Sequence, residues 1–414
     1  MKFQNAWRTT TQPKQGRRNR KASLLVGHQS TTATELARSS PEDPAREFKE
    51  RGDRFMAQRQ YRDAFQQYSE TLAVRKAKLG EEHSLVADAY CVMAFSRQAE
   101  GQLVVSWKFY NLALEIQCKL FGDDSLPVSK TYTSIGLLLS EMRRYEDAIL
   151  HYRMSLQIQE TVKGGDRLSI AKINLSCGNC YRKLGDYNNA NWYLKNALSG
   201  FERCSGDKIL ETAACYTSLA LVFQMQNQYE MAFQHHELAM ITRSAYREGM
   251  PLEIAAGYVN MGRCRKGQCR FEEAIELFRN ALIVLLVTYG ENHPETATCL
   301  VSLGKCLQEQ DQIEEAMKHY HQAEAALVNS LGETAPQLVQ VYGKLHQCYL
   351  KMDDTDRASS YKKKAKRSFP ELKAGKEMGA SKHATHKQTK ESTKPKSVKG
   401  ARPAIKRSNS AVAA

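Results

Sequence analysis

The sequence predicts an all-α protein: a solenoid of about eight helical hairpins over residues 45–369, set between basic segments at 1–44 and 370–414. Three observations predict it. A break of Gly followed by acidic residues returns about every 42 residues, as in "KLGEEHS" (78–84), "LFGDDS" (120–125), "VKGGDR" (162–167), "CSGDKI" (204–209), "TYGENHP" (288–294) and "SLGETAP" (330–336). Between breaks, apolar residues recur at helical spacing for about a dozen residues, turn, and recur again. Small residues occupy the same place in unit after unit, and repetition at a period of 20–50 residues is the mark of a repeat architecture.

The units begin near 45, 87, 129, 171, 213, 255, 297 and 339. Each starts after a break in which Gly enters the left-handed region as a helix stop. The acids that follow suit the next helix start, and Pro294 and Pro336 fit a first turn. Within the first helix come Gly52, Ala94, Gly136, Gly178, Ala220, Gly262 and Gly304. Twelve residues later stand Ala64, Ser106, Ala148, Ala190, Ala232, Ala274, Ala316 and Ala358. Small side chains let two helices approach closely, so each pair marks an antiparallel contact. Four residues beyond lies a larger side chain: Tyr68, Tyr110, Tyr152, Leu194, His236, Phe278 or Tyr320. An aromatic often opens the second helix, as at Tyr61, Tyr145, Tyr187, Tyr229 and Phe271.

These positions resemble the small–large–small pattern of the tetratricopeptide repeat. The 42-residue spacing and the "LGEEHS" and "YGENHP" connectors are similar to the kinesin light chain and nephrocystin-3 type. The resemblance covers residues 45–369 and implies a right-handed superhelix whose first helices line a concave groove. It also implies intracellular transport or ciliary machinery as a setting. Light chains of that type carry a long coiled coil ahead of their repeats, whereas the residues before 45 are polar, basic and aperiodic, which argues against a motor subunit. The paired Asn of light-chain first helices is mostly replaced here, so cargo specificity does not carry across.

Composition narrows the class. The chain carries +15 overall, with +7 on residues 1–40 and +13 on 361–414, so 41–360 carries −5. The basic character belongs to the ends, and the body is mildly acidic. Eleven Cys without framework spacing suit a reduced intracellular protein. No run of 18 apolar residues suggests a membrane span, and "MKFQNAWRTTTQPKQGRRNRK" lacks the apolar core of a secretory signal.

The expectation is non-catalytic. No phosphate loop, HExxH or GxSxG is present. Cys177-Gly178-Asn179-Cys180 has the CxxC form but lies inside a first helix rather than at a strand–helix junction, so its reading is packing. Cys264 and Cys269 are poorly spaced for zinc, and His235, His236, His319 and His321 lack a patterned acid or Cys partner. No cofactor and no small-molecule substrate are expected. The groove implied by the resemblance exposes Lys130, Lys172, Asn179, Arg182, Lys183, Asn260, Arg263, Lys266, Lys305 and Gln347. Cations there would hold an extended acidic peptide of a partner protein, with Asn reaching its backbone.

The tails leave three readings open: solubilising ends, electrostatic attachment to microtubules, nucleic acid or anionic lipid, and nuclear import through "RRNRK" (17–21) or "KKKAKR" (362–367). No aromatic follows Phe369, which disfavours base stacking. Ser23, Ser408 and Ser410 follow basic residues and are expected kinase targets. The chain therefore reads as a cytoplasmic adaptor that grips a partner peptide, possible at the cytoskeleton, cilium or nucleus. The alternative is a structural protein held on a polyanion by its tails.

Overall fold

A computed structural model describes residues 43–162, 165–204, 209–244 and 251–368. Ser23, Ser408, Ser410, the basic motif at 17–21 and the glycines at 164 and 206 lie outside them, whereas the basic motif at 362–367 falls in the last helix. The described residues form sixteen helices and no strand. In chain order the hairpins are α1 (Arg46–Ala57) with α2 (Tyr61–Leu79), α3 (Ser84–Ala99) with α4 (Leu103–Phe121), α5 (Leu126–Glu141) with α6 (Tyr145–Thr161), and α7 (Arg167–Leu184) with α8 (Tyr187–Glu202). They continue as α9 (Ile209–Met225) with α10 (Tyr229–Ser244), α11 (Pro251–Gly267) with α12 (Phe271–Tyr289), α13 (Pro294–Glu309) with α14 (Ile313–Leu331), and α15 (Leu338–Lys351) with α16 (Thr355–Arg367).

Every hairpin is turned by the same cap. Arg59, Gly101, Arg143, Gly185, Asn227, Cys269, Asp311 and Asp353, spaced by 42, all take positive φ between 58° and 85°. In the first, the Arg59 N–H bonds to Met56 O at 3.0 Å and the Gln60 N–H to Phe55 O at 2.9 Å. That paired closure is a Schellman motif, and it recurs in all eight turns, down to Asp353 N–H on Leu350 O and Asp354 N–H on Tyr349 O. Six of the eight caps are not glycine. Their left-handed strain persists because the packed helices on either side fix the turn.

The connectors between hairpins differ from expectation in conformation. Gly80, Gly122, Gly290 and Gly332 have φ of 80° to 85°, but ψ near 180°, outside the left-handed helical basin. Only glycine enters that extended region readily, so the requirement for Gly is stricter than for a helix stop. Pro294 is the first residue of α13, as expected. Pro336 instead sits in the turn before α15, where the Leu338 N–H reaches Ala335 O and the Val339 N–H reaches Pro336 O.

Inside each hairpin the large residue of the second helix lies over the small residue of the first. A Cβ added to Gly136 would stand 2.6 Å from the Tyr152 ring, and one on Gly304 2.6 Å from the Tyr320 ring. Glycine is needed there for room. Each second helix then packs on the following first helix, and the buried apolar residues gather in successive clusters along the array. The first helices α5, α7 and α9 also touch in succession, while second helices make no comparable contact with one another. The first-helix face is thus the inner side of the curve. At the N-terminal end, fully buried Arg75 of α2 donates from Nε to Asp43 Oδ1 (3.0 Å), from Nη2 to Asp43 Oδ2, and from Nη1 to Leu85 O (2.6 Å). At the other end Tyr361 of α16 stacks on Tyr349, and Lys364 bonds Glu324 at 3.0 Å.

Candidate peptide-binding groove

On α11, Asn260, Arg263 and Lys266 are three residues apart and share one face. One repeat on, Lys305 of α13 occupies the position of Arg263, and one further on Gln347 of α15 does. Lys344 of α15 stands in the position of Asn260 two repeats earlier. Three of these cations lie close enough to Lys305 to act on its charge. Lys305 is half-buried, and its ammonium pKa is lowered first by burial and then by Lys266, Lys344 and Arg263. Neither the Lys266 nor the Lys305 ammonium has an ion pair or hydrogen bond among the described residues. Arg263 spends one N–H on Asn260 Oδ1 (3.3 Å), and Lys344 donates to Gln347 Oε1 (3.0 Å). Four cations on three consecutive first helices therefore face one another with no carboxylate between them.

The other expected groove residues lie in mixed surroundings. Lys130 is exposed on α5 close to Asp88 of α3, whose carboxyl pKa burial raises against the pull of Arg75, Lys49 and Lys130. Lys172 stands 3.9 Å from Glu211 of α9. Asn179 accepts a long hydrogen bond from Arg182 Nη2 (3.4 Å), while burial lowers the Arg182 pKa and leaves its Nε without a partner. Lys183 is exposed near the end of α7. The structure thus brings together Asn260, Arg263, Lys266 and Lys305, and it gives Lys130 and Lys172 acidic neighbours. Sequence reading missed Lys344 and Asp88. Both sit one or two 42-residue steps from residues it named, which is the signal that would have found them.

No reactive centre competes with this surface among the described residues. Cys177 and Cys180 are buried, and burial pushes the Cys177 thiol up to about 12, so neither is a ready thiolate. Cys180 donates to Ser140 Oγ at 3.6 Å. No described group of His, Cys, Asp or Glu could hold a metal ion, and no described helix is long and apolar enough to cross a membrane.

Hairpins in series, identically capped and packed small on large, define a helical-repeat solenoid that offers surface along its whole length. The tetratricopeptide repeat model matches residues 85–161, 169–240 and 253–327, and a second tetratricopeptide repeat model matches 52–85. The chain belongs to the tetratricopeptide repeat family, whose fold is generally a non-catalytic module for protein interaction. Among solved structures, the apo form of RapI is 13% identical with a TM-score of 0.57, over 80% of this chain and 99% of that one. BtubC (BKLC) from P. vanneervenii is 18% identical with a TM-score of 0.47, over 62% of this chain and 99% of that one. A Rap protein complexed with competence and sporulation factor is 15% identical with a TM-score of 0.48, over 83% and 96%. At such identities the likeness is one of fold. No curated protein sequence matches the chain.

Proposed function

We propose that the chain is an adaptor whose inner face grips an extended acidic peptide of a partner protein, with Arg263, Lys266, Lys305 and Lys344 as the main contacts. The supporting observation is the half-buried Lys305, crowded by three other cations and paired with no acid. Like charges gathered without a counter-ion raise the free energy of the empty groove, and an arriving carboxylate relieves it. Charge-assisted hydrogen bonds of about 1.5–3 kcal/mol each then anchor the peptide. Asn260 and Gln347 are placed to meet its backbone, although each now accepts from a neighbouring cation.

The test uses the full chain and fluorescein-labelled twelve-residue peptides, one of Glu and Ser and one of Lys and Ser, followed by fluorescence polarisation. The acidic peptide should bind with strong salt dependence, and R263E/K305E should weaken it about 100-fold with an unchanged circular dichroism spectrum. Equal affinity for the variant removes the groove from the account. The likeness to light-chain repeats favours a setting in transport or ciliary assemblies, which proximity labelling would examine. Tail charge alone favours the alternative, attachment to microtubules or nucleic acid through 1–44 and 370–414. Deleting the tails abolishes the principal contact under that alternative and spares it under the groove reading.

A further inference from the structure

The outer face carries a second feature, independent of the groove. Second helices α6 and α8 run the same way on either side of α7 and enclose an open cleft of about 760 Å³. Its lip is apolar: Leu150 and Trp192 are 58% and 59% exposed, and Met154 is exposed beside them. Leu150 and Trp192 hold the same repeat position, which faces solvent. The other six hairpins place Gln66, Lys108, Gln234, Glu276, Lys318 and Ser360 there, so polar residues are the rule and these two neighbours break it together.

The cleft is also built to stay in place. Trp192 stands edge-on against Tyr193 with ring centroids 4.7 Å apart, and Tyr193 stacks on Tyr181 at 5.2 Å. A large aromatic held half out of the surface by a ring stack is the preorganised anchor expected of an interface hot spot. Arg153 and Arg203 line the same cleft, and neither forms a side-chain ion pair or hydrogen bond among the described residues. Among the described residues, the one acid on the wall is Glu160. From Leu150 to Thr161 the wall spans about three helical turns, roughly 16 Å.

We infer that this cleft docks an amphipathic helix of a partner protein, apolar residues on Leu150, Met154 and Trp192, and Asp or Glu reaching Arg153 and Arg203. Charge complementarity selects the occupant. The chain's own ends are strongly basic and would set cation against unpaired cation. A helix suits the straight channel between two parallel helices, where anchors at i, i+3 and i+4 meet the apolar lip.

Phage-displayed random 16-residue peptides are selected on the full chain and depleted on L150Q/W192Q, which installs the residue other hairpins use and should melt like wild type. The surviving peptides should carry apolar residues at helical spacing flanked by Asp or Glu. As synthetic peptides they should shift Trp192 emission in a W7F/W107F background, lose at least tenfold in affinity on R153E/R203E, and bind R263E/K305E unchanged. Failure to recover any peptide that needs Leu150 and Trp192 overturns the inference, as does recovery of peptides without acidic enrichment. A wild-type dimer in sedimentation that L150Q/W192Q dissociates also overturns it, by assigning the cleft to a second copy.

Discussion

His236 offers a quantitative test of how tightly the repeat core is sealed. It takes the position held elsewhere by Tyr68, Tyr110, Tyr152, Leu194, Phe278 and Tyr320, and it is 1% exposed. Its Nε2 has no hydrogen-bond partner. Burial lowers its pKa from 6.5 to about 4, with smaller contributions from Arg243, His235 and Arg263. The folded chain thus holds a neutral imidazole at pH values where the unfolded chain holds a protonated one. Between about pH 6.5 and pH 4 the unfolded state binds more protons, so stability rises with pH across that window and is lost as pH falls through it. The shift converts to about 3 kcal/mol in total and to roughly 1.3 kcal/mol between pH 7.5 and pH 5.5. His236→Phe, which copies Phe278, removes this term while leaving every other titrating group in place. Urea unfolding at the two pH values, followed by circular dichroism, should show that wild type loses about 1 kcal/mol more than the variant. The same pH loss in both proteins would mean that His236 titrates as in solution, and that the large position does not seal the hairpin.

Three further predictions test the packing. Gly304→Ala puts a Cβ against the Tyr320 ring, which burial and a 3.1 Å hydrogen bond to Gln308 Oε1 hold still, whereas Gly343→Ala meets nothing within 4 Å. The first should lose about 1 kcal/mol net of its helix-propensity gain and the second should gain up to about 1, as thermal melts would show. Asp43→Ala strands the buried Arg75 guanidinium and should cost about 3 kcal/mol, most of it recovered by adding Arg75→Met; hydrogen exchange in α2 reads both. Burial raises the thiols of Cys177, Cys215, Cys264, Cys299 and Cys306, while Cys269 is exposed and Cys204 partly so, so the fast phase of disulfide-reagent titration should vanish in C204S/C269S and persist in C177S/C180S.

The hairpins were legible because the 42-residue spacing is tied to backbone stereochemistry. Gly80, Gly122, Gly290 and Gly332 must be glycine, and Gly136 or Gly304 must lack a side chain. The turn caps were not legible. Arg59, Arg143 and Cys269 carry no local sign of a left-handed backbone, which tertiary packing imposes on them. The groove was legible in part. A helix-by-helix reading found Arg263, Lys266 and Lys305 but overlooked Lys344, whose meaning appears only when equivalent positions are stacked. The closeness of Lys172 to Glu211 depends on how neighbouring hairpins meet, which no single helix encodes. Leu150 and Trp192 were not legible, since periodicity does not say which apolar residue faces out.

The repeat therefore supplies its own control. Positions that recur unchanged, such as the Gly under Tyr152 and Tyr320 or the eight capped turns, answer to packing and would be needed in any array of this pitch. Positions that depart from their own ladder answer to something else. Arg263 and Lys305 are the two cations of a first-helix ladder that otherwise holds Asp53, Phe95, Leu137, Asn179, Leu221 and Gln347, and Leu150 and Trp192 replace polar residues on the second helices. Both departures leave side chains in states a solitary array would avoid, cations without anions within and an aromatic in water without. The two lie on opposite faces and on different hairpins, α11–α15 and α6–α8, so occupying one surface leaves the other open. With both proposed surfaces filled, the solenoid would carry one protein on its inner face and another on its outer face, an arrangement suited to a scaffold.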